Sequence, residues 1–121
     1  ETQAKLEIQD MIRNNMIELA TSFILIYENS MNPKKNNRIS IENFINSYET
    51  VYVNESQHKE VADVAKSFIS QGIKDKDAFH VACTILAKCE YFITTDDRLL
   101  KCETNELQVV NPMEFIRRME G

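Results

Sequence analysis

Apolar positions change their spacing several times along this chain, and each change marks a predicted element. The opening residues, ETQAKLEIQDMIRNN, carry Ala4, Ile8, Met11 and Ile12 on one side, which is helical spacing. From Ile17 to Tyr27 the sequence IELATSFILIY is apolar, with Phe23, Ile24, Leu25, Ile26 and Tyr27 contiguous. That run predicts a buried strand ending at Glu28-Asn29. Asn32 to Asn37 reads as a polar loop around Pro33, and Ser40 with Asn43 starts a helix carrying Ile41, Phe44, Ile45 and Tyr48. Val51-Tyr52-Val53 is a short β-prone triplet and a further candidate strand. Ser56 to Ile69 predicts a helix with Val61, Val64, Ala65, Phe68 and Ile69 inward, and Gly72 is placed to stop it.

The segment KDKDAFHVACTILAK returns to helical spacing, with Ala78, Ala82, Ile85 and Leu86 beside Phe79 and Val81. Asp75 and Asp77 fall in its first turn, where carboxylates favour the positive helix end. Tyr91, Phe92, Ile93, Thr94 and Thr95 then form an aromatic and β-branched run, expected as a strand buried on both faces and ending at Asp96-Asp97. Gln108-Val109-Val110 predicts a last edge strand, and Pro112 opens a terminal helix over MEFIRRME. Strands alternating with helices imply an α/β fold with a mostly parallel sheet covered on both faces. At 121 residues the chain is long enough for a single domain, residues 1–121, and too short for two.

The candidate chemistry lies where these elements end. Ligands of α/β folds sit beyond the carboxyl ends of the strands, and Glu28 and Asp96 are expected at such ends. With parallel strands, Glu28, Asp96 and the helix-opening Asp77 can meet in one crevice. Clustered carboxylates repel one another unless a cation stabilises them. Hard oxygen donors with open positions suit Mg²⁺ or Mn²⁺, a common device for orienting water in phosphodiester hydrolysis. His80, three residues after Asp77, reads as a ligand or base, or as a partly buried side chain that packs and hydrogen-bonds.

These residues resemble a known family. DAFHVA followed by YFITTDDRLL looks like a PIN domain, the fold of many small metal-dependent ribonucleases, including VapC-type toxins of bacterial toxin–antitoxin pairs; YENSMNP and VVNPMEFI look like one bacterial subgroup. The resemblance implies a three-layer α/β/α fold. It implies that Glu28, Asp77 and Asp96 are metal ligands for Mg²⁺ or Mn²⁺, with Asp97 an auxiliary acid and Thr94 orienting Asp96. It implies an endoribonuclease with an RNA substrate, an antitoxin protein as a partner, and a homodimer. PIN proteins begin with a central strand whose end supplies a further acid. This sequence opens on Glu1 and already reads as a helix, so that strand and acid are not in it. The expectation is a segment of the protein that the sequence omits, or a strand supplied by another chain; three carboxylates stand here rather than four.

Composition changes little of this. Hydrophobic residues at 43% and charged residues at 27% are ordinary for a globular protein, and no apolar run approaches the length of a membrane span. The three cysteines, Cys83, Cys89 and Cys102, have no metal-site spacing and read as reduced thiols in a cytoplasm. A net charge of −5 argues against nonspecific nucleic-acid binding. Basic residues nevertheless cluster at Lys34, Lys35 and Arg38, at Arg98 with Lys101, and at Arg117-Arg118; the first two clusters could flank a backbone-binding groove or form solvated surface. The Tyr and Phe residues lie on apolar faces and are expected in the core. Two other functions stand beside the nuclease: a PIN-like module that binds RNA or protein without catalysis, and an aspartate-nucleophile phosphatase. The latter needs D-x-D after a strand, whereas Asp75 and Asp77 open a helix.

Overall fold

A computed structural model of the chain describes residues 2–121. Helices and short strands alternate along it: α1 Thr2–Arg13, β1 Leu19–Ser22, α2 Phe23–Ser30, α3 Lys35–Tyr48, β2 Glu49–Val53, α4 His58–Ile69, α5 Asp75–Leu86, β3 Tyr91–Ile93, α6 Asp97–Leu100, β4 Gln108–Val110 and α7 Pro112–Glu120. A 3-10 turn over Glu55–Gln57 leads into α4. The chain is therefore mixed α/β.

Every strand pairing is parallel, β1 with β2 and β3 with β4. Among the described residues the strands form two separate two-stranded sheets rather than one. Helix α5 packs against β1 and against β3, so it bridges the two pairs. Helix α4 lies along α5, and their facing sides make most of the core: Val61, Ala65 and Phe68 from α4 meet Ala78, Val81, Ala82 and Cys83 from α5, with Leu99 of α6 closing one end. Helices α1 and α7 pack on each other.

The apolar run Ile17–Tyr27 is not one strand. Only Leu19–Ser22 is extended, and Phe23–Ser30 is helical. Ser22 makes the break: its hydroxyl accepts the Leu25 backbone N–H at 3.2 Å, which starts a helix immediately after the strand. An unbroken apolar run does not by itself distinguish strand from helix. Helix α3 starts at Lys35 rather than Ser40. Asn32 Oδ1 accepts the Lys34 N–H at 3.0 Å, Arg38 donates to the Asn32 carbonyl at 3.0 Å, and Asn29 donates to the Arg38 carbonyl at 3.0 Å. These bonds close the α2–α3 turn within a few residues.

Strand β3 is shorter than expected and half-buried along its length rather than sealed on both faces. Tyr27 and Tyr52 are 69% and 43% exposed, so the expectation that all aromatics enter the core fails for these two. Other elements follow the pattern read from the sequence. Gly72 has φ +92 past the end of α4, a backbone state that L side chains rarely adopt, and Ile73 N–H reaches back to the Phe68 carbonyl at 3.1 Å. Pro112 opens α7 beneath an Asn111 cap whose Oδ1 accepts the Glu114 N–H at 2.8 Å.

Candidate functional site

The turn after β3 is built by its own side chains. Thr94 donates its backbone N–H to Val110 of β4 at 2.9 Å, and its hydroxyl accepts the Asp96 N–H at 3.1 Å. Asp96 Oδ1 then accepts the Arg98 N–H at 2.8 Å and the Leu99 N–H at 3.4 Å, which caps α6. The buried Leu99 anchors that short helix in the core. Thr94 thus holds the Asp96 backbone, and the Asp96 carboxylate caps α6.

Asp77 reaches the same place from α5. It lies in the first turn, and together with Asp96 and Asp97 it lines a cavity of about 220 Å³ whose other walls are Ile73, Lys74, Arg98 and Leu99. The structure thus brings together Asp77, Asp96 and Asp97, contributed by a helix start and a strand end that are 19 residues apart in sequence (96 − 77).

Glu28 is not part of this constellation. It was expected at the end of a strand; it lies near the end of α2, and the cavity walls do not include it. Its Oε2 sits 3.1 Å from Lys76 Nζ and 3.3 Å from His80 Nε2, both on α5. Partial burial alone would push its pKa up, but the hydrogen bonds and charges of Lys76 and His80 outweigh this and hold the carboxyl below the ordinary 4.5. Glu28 therefore pins α2 to α5. His80 is a partly buried packing and hydrogen-bonding residue here, with its side chain 18% exposed.

Lys74 and Lys76 were missed as site residues in the sequence. The available signal was the alternation KDKD at a helix start, which places bases directly beside the acids; Lys76 faces Glu28 and Lys74 lines the cavity. The thiols add no chemistry to the site. Cys83, Cys89 and Cys102 are free, and burial raises the pKa of all three.

Among the described residues, no group of three or more His, Cys, Asp or Glu side chains is placed to hold a metal ion. The donor chemistry of the cavity still suits one kind of ion. Mg²⁺ is commonly held by one or two carboxylates while keeping several waters, and Asp77 with Asp96 or Asp97 offers such a hard, partial donor set. Among the described residues, no helix is long and apolar enough to cross a membrane. No protein-family model matches the chain, and no curated protein matches it.

Proposed function

We propose that this protein is a Mg²⁺- or Mn²⁺-dependent endoribonuclease of the PIN type, with Asp77 and Asp96 as metal ligands and Asp97 as an auxiliary acid. The observation that carries the reading is the meeting of Asp77, Asp96 and Asp97 on one cavity beyond the end of a parallel strand. Of the segments whose resemblance suggested the family, DAFHVA contributes Asp77 to this cavity and TTDDRLL contributes Asp96, Asp97, Arg98 and Leu99, with Ile73 and Lys74 completing the wall. When bound, the ion would lower the pKa of a coordinated water for attack on a phosphodiester. The chain's own contributions are separate from that chemistry. Thr94 holds the Asp96 backbone, Leu99 fixes α6, and the first turn of α5 presents Asp77.

The two parallel pairs fit the same reading as halves of one central sheet in a three-layer α/β/α fold. Helix α5 contacts both β1 and β3, one strand of each pair. In parallel α/β folds ligands bind in the crevice beyond the carboxyl ends of the strands, where Asp96 and Asp97 follow β3. A cytoplasmic toxin of a toxin–antitoxin pair, paired with its antitoxin and dimeric, is the biological setting that accompanies this proposal.

The test is cleavage of unstructured single-stranded RNA by the purified protein with Mn²⁺ and with a chelator. Cleavage that needs the metal supports the reading, and no cleavage under either condition sinks it. The ion-paired Glu28 favours a second reading, a non-catalytic PIN-like module that binds RNA or a protein partner, because one expected ligand already pairs with Lys76 and His80. Mn²⁺ affinity separates the two: a catalytic site binds the ion measurably and a degenerate one does not.

A further inference from the structure

The acids beyond β3 stand on two separate stretches of chain. The turn from α4 into α5 supplies Ile73, Lys74 and Asp77 to the cavity wall, and α6 with its cap supplies Asp96, Asp97, Arg98 and Leu99. Ile73 and Leu99 are buried and anchor their stretches in the core. Carboxylates contributed by two segments hold an ion together only while the segments keep their spacing, so what joins the segments matters.

One side chain joins them. Gln71 donates its Nε2 amide to the Glu103 carbonyl at 3.0 Å, and its Oε1 accepts the Glu103 backbone N–H at 2.8 Å. An amide carries a donor and an acceptor side by side in one plane, so the two bonds fix orientation as well as distance. Among the described residues, no other hydrogen bond or ion pair links the α4–α5 turn and the first turn of α5 to α6 and the loop after it.

Both ends of this clamp are tied to the walls they serve. The Gln71 N–H bonds the carbonyl of the buried Phe68 at 3.0 Å, and the Ile73 N–H bonds the same carbonyl at 3.1 Å. On the other side the Cys102 N–H bonds the Leu99 carbonyl at 3.1 Å, directly before Glu103. A movement of Gln71 is therefore passed to Ile73 and the start of α5, and a movement of Glu103 to Leu99 and α6.

We propose that Gln71 is a positioning residue of the candidate metal site, setting the spacing between Asp77 on one wall and Asp96 and Asp97 on the other. The assignment rests on the metal-site reading given above. Gln71 is not itself part of the cavity wall.

Two variants test it. Gln71→Glu keeps the shape and the acceptor but loses the donor, which sets a carboxylate against the Glu103 carbonyl; Gln71→Ala removes both bonds. The measurement is Mn²⁺ affinity, read from the electron paramagnetic resonance of the free ion during titration, with no RNA present. Both variants should bind Mn²⁺ about tenfold more weakly than the unaltered protein. The Glu103 amide should also exchange faster with solvent deuterium in Gln71→Ala. Asn111→Ala removes the α7 cap, outside the cavity, and should lower the melting temperature without changing Mn²⁺ affinity. Unchanged Mn²⁺ affinity in either Gln71 variant, or an equal loss in Asn111→Ala, would overturn the proposal. The two readings fail differently. Mn²⁺ binding that ignores Gln71 removes the positioning role and leaves the metal site; an unaltered protein that binds no Mn²⁺ removes both.

Discussion

Asp96 carries two roles that substitution can separate. Its carboxylate caps α6 through the Arg98 and Leu99 N–H groups, and it lines the cavity with Asp77. Asn caps a helix about as well as Asp, whereas Ala costs about 1 kcal/mol. Urea unfolding should therefore show Asp96→Asn close to the unaltered protein and Asp96→Ala about 1 kcal/mol less stable. Glu28 makes a different prediction. Its lowered pKa means that the unfolded chain binds the proton more readily, so its contribution to stability is present above the ordinary 4.5 and is lost as pH falls through the depressed value. The pair is exposed, with Glu28 at 41% and Lys76 at 65%, so the contribution is at most about 1 kcal/mol. Glu28→Gln should lower stability slightly at neutral pH, and the difference should close in acid. A difference independent of pH would show that Lys76 and His80 do not stabilise the carboxylate.

At the scale of elements, what could be read from the sequence depended on whether a local signal stood alone. Gly72 and Pro112 are punctuation marks with one physical meaning each, and α4 ends and α7 starts where these residues indicate. The run Phe23–Tyr27 carried no such mark inside it. Its conformation turned on Ser22, a hydroxyl within a strand-like stretch whose capping role shows only in the fold. That one change moved Glu28 from a strand end to a helix, while Asp77 and Asp96 stayed beside unambiguous elements and line one cavity. The division of the sheet also has a measurable consequence. Gln108 N–H bonds the Glu90 carbonyl and Thr94 N–H bonds Val110, each at 2.9 Å. Alternate residues of β3 thus face β4, and the Tyr91 and Ile93 N–H groups point to the opposite edge. Hydrogen exchange followed by NMR should find Tyr91 and Ile93 amides faster than Thr94. Equal protection would mean that the edge of β3 opposite β4 is also paired.

At the scale of the molecule, one helix organises both the core and the candidate site. Helix α5 packs on α4, touches β1 and β3, holds Glu28 through Lys76 and His80, and presents Asp77 at its start. The acidic balance of −5 is spread over the whole chain, yet Lys74 and Arg98 are local to the cavity, so net charge is a poor guide to what that surface attracts. The central claim is that the meeting of Asp77, Asp96 and Asp97 serves metal-dependent RNA cleavage. Its most direct test is the rate of Mn²⁺-supported cleavage of single-stranded RNA by the protein and by Asp96→Asn, with both folds matched by circular dichroism and melting temperature. The account predicts metal-dependent cleavage that falls about 100-fold or more in the variant, beyond the loss expected for a group that only positions a ligand. Equal rates in the two proteins, or cleavage indifferent to the metal, would contradict it.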